Sequence, residues 1–368
     1  MKYYTYKSQT LRNMVWLIAC AAVIMAVMMN WAAMPMGIKV IGCICQILSG
    51  IIACLAIIGI ATRRSISAIV LFYVFKMIPI KDRRDPEVFR NYMESSSKPY
   101  VLNPNTVRKY NITRFGNTDD TYVIDHRDSE EDLVVFYIHG GGYWVRPYGI
   151  HFTMFDKMAR MLHAKFVIPI YPLAPAHDAT EANSMVMERY LQLLNEEHAD
   201  PGKVIFMGDS AGAGLSMSLM LQLKEKKLPL PREAVYFSPW VDASNSTPGM
   251  EAVRDPFLNI PNLTYGGEIY AGDLEGGAKN PMVSPIYGDM RGLPKMTAFG
   301  GTYDSLNLDA MKMADKAREE GFDYTIYVYP KMIHGYAGFF FTPEAKYAIR
   351  QVKNVLDGKP VTNVVSEI

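Results

Sequence analysis

The chain has 368 residues, more than one hydrophobic core usually holds, because single cores stop growing at about 250 to 300 residues. Its 38 basic and 37 acidic residues give a formal net charge of +1, so no overall field favours nucleic acid or another polyanion. All four cysteines lie within apolar runs of the first sixty residues (Cys20, Cys43, Cys45 and Cys54). This placement predicts small buried side chains rather than a disulfide framework or a metal site.

The N-terminal region, residues 1–64, contains two long apolar runs. Residues 14–34 and residues 40–61 carry no charge, and each run is about 20 residues long, which is enough for a helix to cross a bilayer. Residues 35–37, Pro-Met-Gly, break the first run from the second. We therefore predict a transmembrane helical hairpin, with a cleaved signal peptide as the alternative interpretation of the first run.

Basic residues predict the orientation of this hairpin. They lie before the first run and after the second (Lys2, Lys7, Arg12, Arg63 and Arg64). Only Lys39 lies between the runs, so both ends of the hairpin and the domain that follows are expected in the cytoplasm. A further apolar stretch, residues 66–80, is short for a span and is flanked by basic clusters. We expect it to lie in the membrane interface or against the soluble domain, whereas a third crossing would place that domain outside.

The remainder divides into a connector at residues 65–130, an α/β catalytic domain at residues 131–358 and a tail at residues 359–368. Six short apolar segments predict strands (residues 133–138, 166–171, 204–207, 234–237, 296–299 and 325–329). Amphipathic stretches between and after them predict helices (residues 152–162, 181–197, 215–227, 308–320 and 344–356). This alternation predicts a mostly parallel sheet covered on both faces. Residues 245–280 break the pattern and are expected to form an excursion near the site.

The strand that ends at Ile138 is followed by a glycine-rich loop. This loop reads His-Gly-Gly-Gly from His139 and continues into the aromatic pair Tyr143 and Trp144. Three successive glycines expose backbone N–H groups, which suits a loop that approaches a developing oxyanion. A merely flexible turn is the alternative.

A second glycine-rich turn surrounds Ser210. The strand at residues 204–207 leads into Gly208, Asp209, Ser210, Ala211 and Gly212, after which a helical pattern begins. Glycine two residues before and after the serine permits a tight strand–turn–helix connection, which holds Ser210 at its tip. Such a turn is a weak signal alone, but its pairing with the preceding loop is typical of lipases and esterases.

A nucleophilic serine requires a base, and the base requires an acid that fixes its tautomer. His334 follows the strand at residues 325–329, a position where open α/β sheets carry site residues, and Asp304 similarly follows the strand at residues 296–299. The competing Asp309 lies in the next helix, where we expect it to face solvent or cap the first turn. Four other histidines are expected to be solvated or packed (His126, His151, His163 and His198).

These residues and motifs resemble one family. The order Ser210, Asp304, His334 is that of α/β-hydrolases and differs from the order in trypsin-like and subtilisin-like enzymes. The chain resembles the hormone-sensitive-lipase-like (GDXG, HGGG-containing) esterase family over residues 133–347. The ordered motifs are HGGGYW, YPLAPAH, GDSAGAG, SPWVD, SPIYGDMRGLP, GTYDSL and MIHGY.

The resemblance implies an α/β-hydrolase fold with a mostly parallel sheet and a helical cap. It implies that Ser210 is the nucleophile, that His334 is the general base and then the general acid, and that Asp304 orients the imidazole. The cap would come from residues 66–117 and 245–280. Four aromatic side chains are expected in the substrate pocket (Tyr143, Trp144, Phe257 and Tyr336).

The resemblance further implies an oxyanion hole formed by the N–H groups of Gly141, Gly142 and Ala211. His139 and Asp209 would support these turns without reacting. One departure concerns the segment YPLAPAH, where the family commonly has arginine and glutamate and this chain has Pro172 and Ala176. A supporting ion-pair network is therefore in doubt, although the triad is not.

We predict a membrane-anchored serine hydrolase that cleaves carboxylic esters, with short acyl or acetyl groups implied by the resemblance. Its expected partners are a small-molecule or lipid ester substrate and the lipid bilayer, with no nucleic acid, metal or organic cofactor. An amidase or a lipase acting on membrane lipids is the alternative enzyme, and a non-catalytic small-molecule receptor is the alternative from another class. His334 disfavours the receptor, because such receptors tend to lose this histidine. The natural substrate and the oligomeric state stay open.

Overall fold

A computed structural model describes residues 2–4, 7–62, 64–129, 132–361 and 364–366. Parts of three predicted features lie outside the described residues. They are Arg63 after the hairpin, the domain boundary at residues 130–131, and residues 362, 363, 367 and 368 of the tail. The helices are α1 (Lys7–Asn30), α2 (Met36–Thr62), α3 (Ile66–Met77), α4 (Pro86–Ser96), α5 (Pro104–Tyr110), α6 (Gly149–Leu162), α7 (Ala179–Asn195), α8 (Ala211–Glu225), α9 (Ile260–Ala271), α10 (Asn307–Glu320) and α11 (Pro343–Leu356). The strands are β1 (Lys2–Tyr4), β2 (Thr113–Arg114), β3 (Thr121–Asp125), β4 (Val134–Ile138), β5 (Lys165–Pro169), β6 (Val204–Asp209), β7 (Glu233–Phe237), β8 (Met296–Tyr303), β9 (Tyr324–Ile333) and β10 (Val364–Ser366).

Helices α1 and α2 form an antiparallel pair, and by length and composition both could cross a membrane. Helix α2 begins at Met36, earlier than the apolar run predicts, because the carbonyl of Pro35 accepts hydrogen bonds from the N–H groups of Ile38 and Lys39. Asn13 donates its side-chain amide to the carbonyl of Arg64 at 2.7 Å. This bond holds the start of α1 beside the end of α2.

Helix α3 lies against the α/β domain. The backbone N–H and the side-chain hydroxyl of Ser65 both donate to the buried carboxylate of Glu344, at 2.6 Å and 2.7 Å respectively. The ring of Phe75 lies 4.8 Å from that of Phe257 and 5.3 Å from that of Phe339. The structure therefore places the short apolar helix on the domain surface, directly after the hairpin.

The sheet has the strand order β10-β1-β9-β8-β7-β6-β4-β5-β3-β2. The six predicted strands are β4 to β9, and these pair in parallel with one another. Strands β2 and β3 add antiparallel pairing at one edge, while β1 pairs in parallel with β9 at the other. The predicted mostly parallel sheet is present, extended at both edges by strands that the sequence analysis did not predict.

Alternation along the strands produces a buried core on each face of the sheet. In β4, Val134, Phe136 and Ile138 contribute to one cluster, and Val135 and Tyr137 contribute to the other. All five side chains are buried, as expected for a sheet covered by helices on both sides. The carboxyl ends of the parallel strands therefore lie together at one edge of this layered core, which is where open sheets carry their sites.

Candidate active site

Ser210 lies in the tight turn between β6 and α8. Its backbone has φ 53° and ψ −123°, a conformation that a side chain adopts only under strain. A Cβ atom on Gly208 would lie 2.9 Å from the N atom of Ala213, and one on Gly212 would overlap the carbonyl oxygen of Ile138. The glycines on either side of Ser210 are therefore required by close backbone contact.

The structure brings Ser210, His334 and Asp304 together. His334 Nε2 lies 2.9 Å from Ser210 Oγ, and His334 Nδ1 lies 3.0 Å from Asp304 Oδ1. Asp304 follows β8 and His334 follows β9, so two neighbouring parallel strands deliver the acid and the base. Burial lowers the pKa of His334, but the charge of Asp304 and its hydrogen bond outweigh burial and raise that pKa overall. Neutral His334 would donate its Nδ1 proton to Asp304 and leave Nε2 free to accept from Ser210.

The loop after β4 places backbone N–H groups beside this serine. Gly141 has φ +127° and Gly142 has φ +60°, both in the region that favours glycine. No acceptor is found for either N–H group within the part of the chain that the structure describes. Ala211 is the first residue of α8, so its N–H has no acceptor within the helix. This arrangement is suited to binding an oxyanion.

Comparisons with known proteins place this site in a family. Residues 135–338 match a family model described as an alpha/beta hydrolase fold. The chain belongs to this family. It is 29% identical over 226 residues to an acetyl-hydrolase of Streptomyces hygroscopicus, covering 60% of this chain and 74% of that protein. It is 28% identical over 223 residues to an esterase of Acinetobacter venetianus, covering 60% and 73% respectively.

A solved structure also assigns this chain to the α/β-hydrolase fold. An esterase from the bacterial hormone-sensitive lipase family superposes with a TM-score of 0.67 at 26% sequence identity, covering 80% of this chain and 97% of that chain. The predicted α/β-hydrolase fold and the resemblance to hormone-sensitive-lipase-like esterases are confirmed. The protein is accordingly a carboxylic ester hydrolase.

His139 of the hydrolase packs behind the glycine-rich loop. Its ring stacks on that of Tyr171 with centroids 4.4 Å apart, and its Nδ1 lies 2.7 Å from the carbonyl oxygen of Gly140. The hydroxyl of Tyr171 donates to the carbonyl oxygen of His139 at 2.8 Å. Burial lowers the pKa of His139 to about 4, so this imidazole is neutral where it packs against Tyr171.

Asp209 connects the two glycine-rich turns. Its Oδ1 accepts hydrogen bonds from the N–H of Gly140 and the hydroxyl of Tyr137, each at 3.0 Å. Burial raises the pKa of Asp209, but the nearby imidazole of His151, with the hydrogen bonds from Gly140 and Tyr137, lowers it overall. His151 Nε2 lies 3.8 Å from Asp209 Oδ2 and also faces the cavity. His151 is partly buried and packs on Tyr148 and Phe155, as expected for a packed residue, and α6 also places it near the carboxylate of Asp209.

Asp255 approaches the triad from the excursion and was missed by the sequence analysis. Its Oδ2 accepts from the N–H of Ser305 at 2.9 Å, and its Oδ1 accepts from the N–H of Phe257 at 2.8 Å. Burial, with the charge of Asp304, raises its pKa above the usual range. No sequence pattern points to it, because it lies far along the chain from the residues it contacts.

Asp309 lies in the first turn of α10, but it neither faces solvent nor caps that turn, because neither carboxylate oxygen has a hydrogen-bond partner among the described residues. The residue is fully buried, and burial raises the pKa of its carboxyl to about 6. It has no contact with His334 among the hydrogen bonds of the described residues. Asp304 therefore is the carboxylate that the structure places on the histidine.

A cavity of about 560 Å³ adjoins Ser210 and His334, a size suited to a small ligand. Phe257 lines it, and its ring stacks near the imidazole of His334 with centroids 5.8 Å apart. Its walls also include Ile78, Pro79 and Ile80, which directly follow α3. Residues from the connector and the excursion thus cover the site, as the cap prediction requires.

The other three aromatic residues predicted for the pocket are not among the described residues that line this cavity. Tyr143 stacks on Tyr270 in the core, and Trp144 donates its indole N–H to the carbonyl oxygen of Gly266. Tyr336 is buried against Tyr329. Their assignment to the pocket is wrong, because each ring fills space between the sheet and the surrounding helices.

Proposed function

We propose that this carboxylic ester hydrolase is anchored to a membrane and cleaves short acyl or acetyl esters through an acyl-enzyme on Ser210. The observation that carries the chemistry is the hydrogen-bonded series from Ser210 through His334 to Asp304. Each of the three side chains has its expected partner within 3.0 Å, and the first two line the cavity. A non-catalytic receptor would have no need for this series.

In the first half-reaction, Ser210 Oγ attacks the ester carbonyl while its proton moves to His334 Nε2. Asp304 stabilises the imidazolium through Nδ1. The carbonyl oxygen becomes an oxyanion, which the N–H groups of Gly141, Gly142 and Ala211 would stabilise by roughly 3 kcal/mol per donor. The carbon–oxygen bond to the alcohol then breaks, and His334 gives its proton to the leaving oxygen.

In the second half-reaction, water attacks the acyl carbon of the acyl-enzyme. His334 removes the proton from the water, and the tetrahedral oxyanion occupies the same N–H groups. Collapse of this intermediate breaks the bond to Ser210 Oγ, which recovers its proton from His334. The carboxylic acid leaves, and the enzyme returns to its starting state with atoms and protons balanced.

Two lines of support concern the substrate and the membrane. The names of the relatives, acetyl-hydrolase and esterase, support short acyl groups. The two apolar helices support anchoring, and the exposed apolar residues Ile78 and Ile80 at the cavity favour esters of membrane lipids as a second candidate. The domain would lie on the cytoplasmic side, where its basic flanks are retained.

The test uses purified full-length protein in detergent with a series of 4-nitrophenyl esters whose acyl chains range from acetyl to palmitoyl. Ser210→Ala is expected to lower kcat/KM by roughly 10⁴-fold or more and to abolish labelling by a fluorophosphonate. Ser216→Ala is the matched variant, because Ser216 lies on α8, which directly follows Ser210, and its hydroxyl contacts that of Tyr236 away from the cavity. It should keep both properties.

Maximal turnover of the shortest esters would support short acyl or acetyl esters as the substrate. Turnover that rises with acyl chain length would support esters of membrane lipids. A folded wild-type protein that neither turns over any of these esters nor reacts with the fluorophosphonate would contradict both. Equal turnover by the wild type and Ser210→Ala would contradict the acyl-enzyme.

A further inference from the structure

A single arginine stands out in the wall of the catalytic cavity. Arg83 follows α3 in the connector and lines the cavity together with Lys81. The N–H of Arg83 donates to Asn262 Oδ1 at 3.1 Å, and Asn262 Nδ2 donates to the carbonyl oxygen of Lys81 at 2.8 Å. The backbone of this part of the connector is therefore held against α9 of the excursion.

The guanidinium lies between two glycines. A Cβ atom on Gly142 would lie 3.0 Å from Arg83 Nη2, and one on Gly266 would overlap Arg83 Nη1. The carbon at the centre of the guanidinium is 5.0 Å from the ring centroid of Trp144 and 5.9 Å from that of Tyr92. Because Gly142 and Gly266 have no side chains, the guanidinium fits beside the loop that is expected to bind the oxyanion.

The charge of Arg83 has no acidic partner among the described residues. Its Nη1 is buried without a hydrogen-bond partner, and none of the ion pairs between described residues includes it. Burial lowers the pKa of the guanidinium and the hydroxyl of Tyr92 partly offsets this, but arginine stays protonated at neutral pH. The adjacent Arg84 differs, since it is exposed and pairs with Asp82 at 2.7 Å.

Burying an unpaired charge is costly unless something compensates it. The aromatic faces of Trp144 and Tyr92 offset part of that cost. The one carboxylate of the cavity wall, Asp209, already accepts hydrogen bonds from Gly140 and Tyr137. Arg83 lines the cavity and has no acidic partner among the described residues, so its charge is available to an anionic ligand there.

We propose that Arg83 binds an anionic group of the substrate, a carboxylate or a phosphate, so that the enzyme prefers esters with a negative charge close to the scissile carbonyl. This inference rests on the proposed esterase function. A guanidinium presents parallel N–H groups that match the oxygens of both anions. Its position beside Gly142 requires the anion to lie only a few bonds from the carbonyl that enters the oxyanion hole.

The experiment compares esters in matched pairs that differ in charge. The 4-nitrophenyl hemiester of glutaric acid against 4-nitrophenyl valerate tests a carboxylate on the acyl side. A 1-acylglycerol 3-phosphate against the corresponding 1-acylglycerol tests a phosphate on the alcohol side. The measured quantity is the ratio of kcat/KM for the anionic ester to that for the neutral ester, in full-length wild type, Arg83→Met, Arg83→Lys and Arg84→Met.

We expect the wild-type ratio to exceed that of Arg83→Met by roughly 10- to 100-fold in at least one pair. The pair affected identifies the source of the anion. Arg83→Lys should keep part of the preference, because it keeps the charge but loses the paired donors. Arg84→Met removes the same charge one residue away and should leave the ratio unchanged.

Equal ratios in the wild type and Arg83→Met, in both pairs, would overturn the assignment, as would an equal loss in Arg84→Met. Fluorophosphonate labelling gives the concentration of folded active sites in each variant, so a misfolded variant does not imitate a lost preference. Wild-type protein that hydrolyses neutral esters but shows no anionic preference would overturn this inference alone. Protein inactive on every ester would contradict the proposed function and this inference with it.

Discussion

Neighbouring carboxylates determine the basicity of His334. Burial alone would lower the pKa of His334, whereas Asp304, and then Asp255, raise it above the ordinary value of 6.5. His334 has to be neutral to accept the proton of Ser210. We therefore expect kcat/KM to rise with pH through a midpoint above 6.5 and to fall as pH drops through it, because the protonated imidazole has no free lone pair.

The substitution Asp255→Asn should move that midpoint to lower pH, because it removes a negative charge that favours the imidazolium. The asparagine carbonyl can still accept from the N–H of Ser305, so the loop around Asp304 keeps its hydrogen bond. The pH dependence of kcat/KM measures the shift. Asp273→Asn changes an exposed acid of the same excursion and should leave the midpoint in place. An unchanged midpoint in a folded Asp255→Asn protein would contradict this role.

At the scale of elements, the connection from β6 to α8 depends on backbone contact. We expect Gly212→Ala to lower the free energy of unfolding by about 1–3 kcal/mol, because the added methyl group meets the carbonyl oxygens of Ile138 and His139. The thermal unfolding temperature in detergent and the esterase rate should both fall. Gly149→Ala serves as the comparison, since a Cβ there meets nothing within 4 Å. Equal stability of the two variants would argue against the close contact.

The elements that sequence patterns predicted are those in which local preference and tertiary packing agree. Strand β6 is a continuous apolar run in a buried parallel sheet, and α11 has a clear amphipathic pattern. Helix α9 was not predicted because Gly266 and Gly267 oppose helix formation in isolation, although Pro261 lies in the first turn, where proline is tolerated. Gly266 leaves space for Arg83, and a Cβ on Gly267 would overlap the backbone of Ala243. Packing against neighbours therefore overrides the weak local preference.

At the scale of the whole molecule, residues 2–4 and the segment that follows the hairpin both contact the hydrolase domain. Strand β1 pairs in parallel with β9 of the domain, with Tyr3 opposite Val328. The end of α2 leads directly to α3, which packs on the same domain. An even number of crossings is the arrangement consistent with these contacts.

Cysteine labelling in sealed vesicles tests this topology. In a cysteine-free background, Gly37→Cys at the tip of the hairpin should react with an impermeant maleimide from the side opposite Lys98→Cys in the connector, because one crossing, α2, separates the tip from the connector. We expect Lys98→Cys to react from the cytoplasmic side. Asp273→Cys, exposed on the domain, should match Lys98→Cys. Reaction of all three from one side would contradict the hairpin.

The sequence by itself determined the hairpin pattern, the parallel strands and the order Ser210, Asp304, His334. These features depend on local spacing, apolar periodicity and turn chemistry, which are properties of short stretches of chain. Only the tertiary structure decided that His151 lies near Asp209, that Asp255 approaches the triad, and that Tyr143, Trp144 and Tyr336 are core residues. It also placed an unpaired Arg83 beside Gly142. Burial and charge compensation depend on neighbours that are distant in sequence, and folding alone brings those neighbours together.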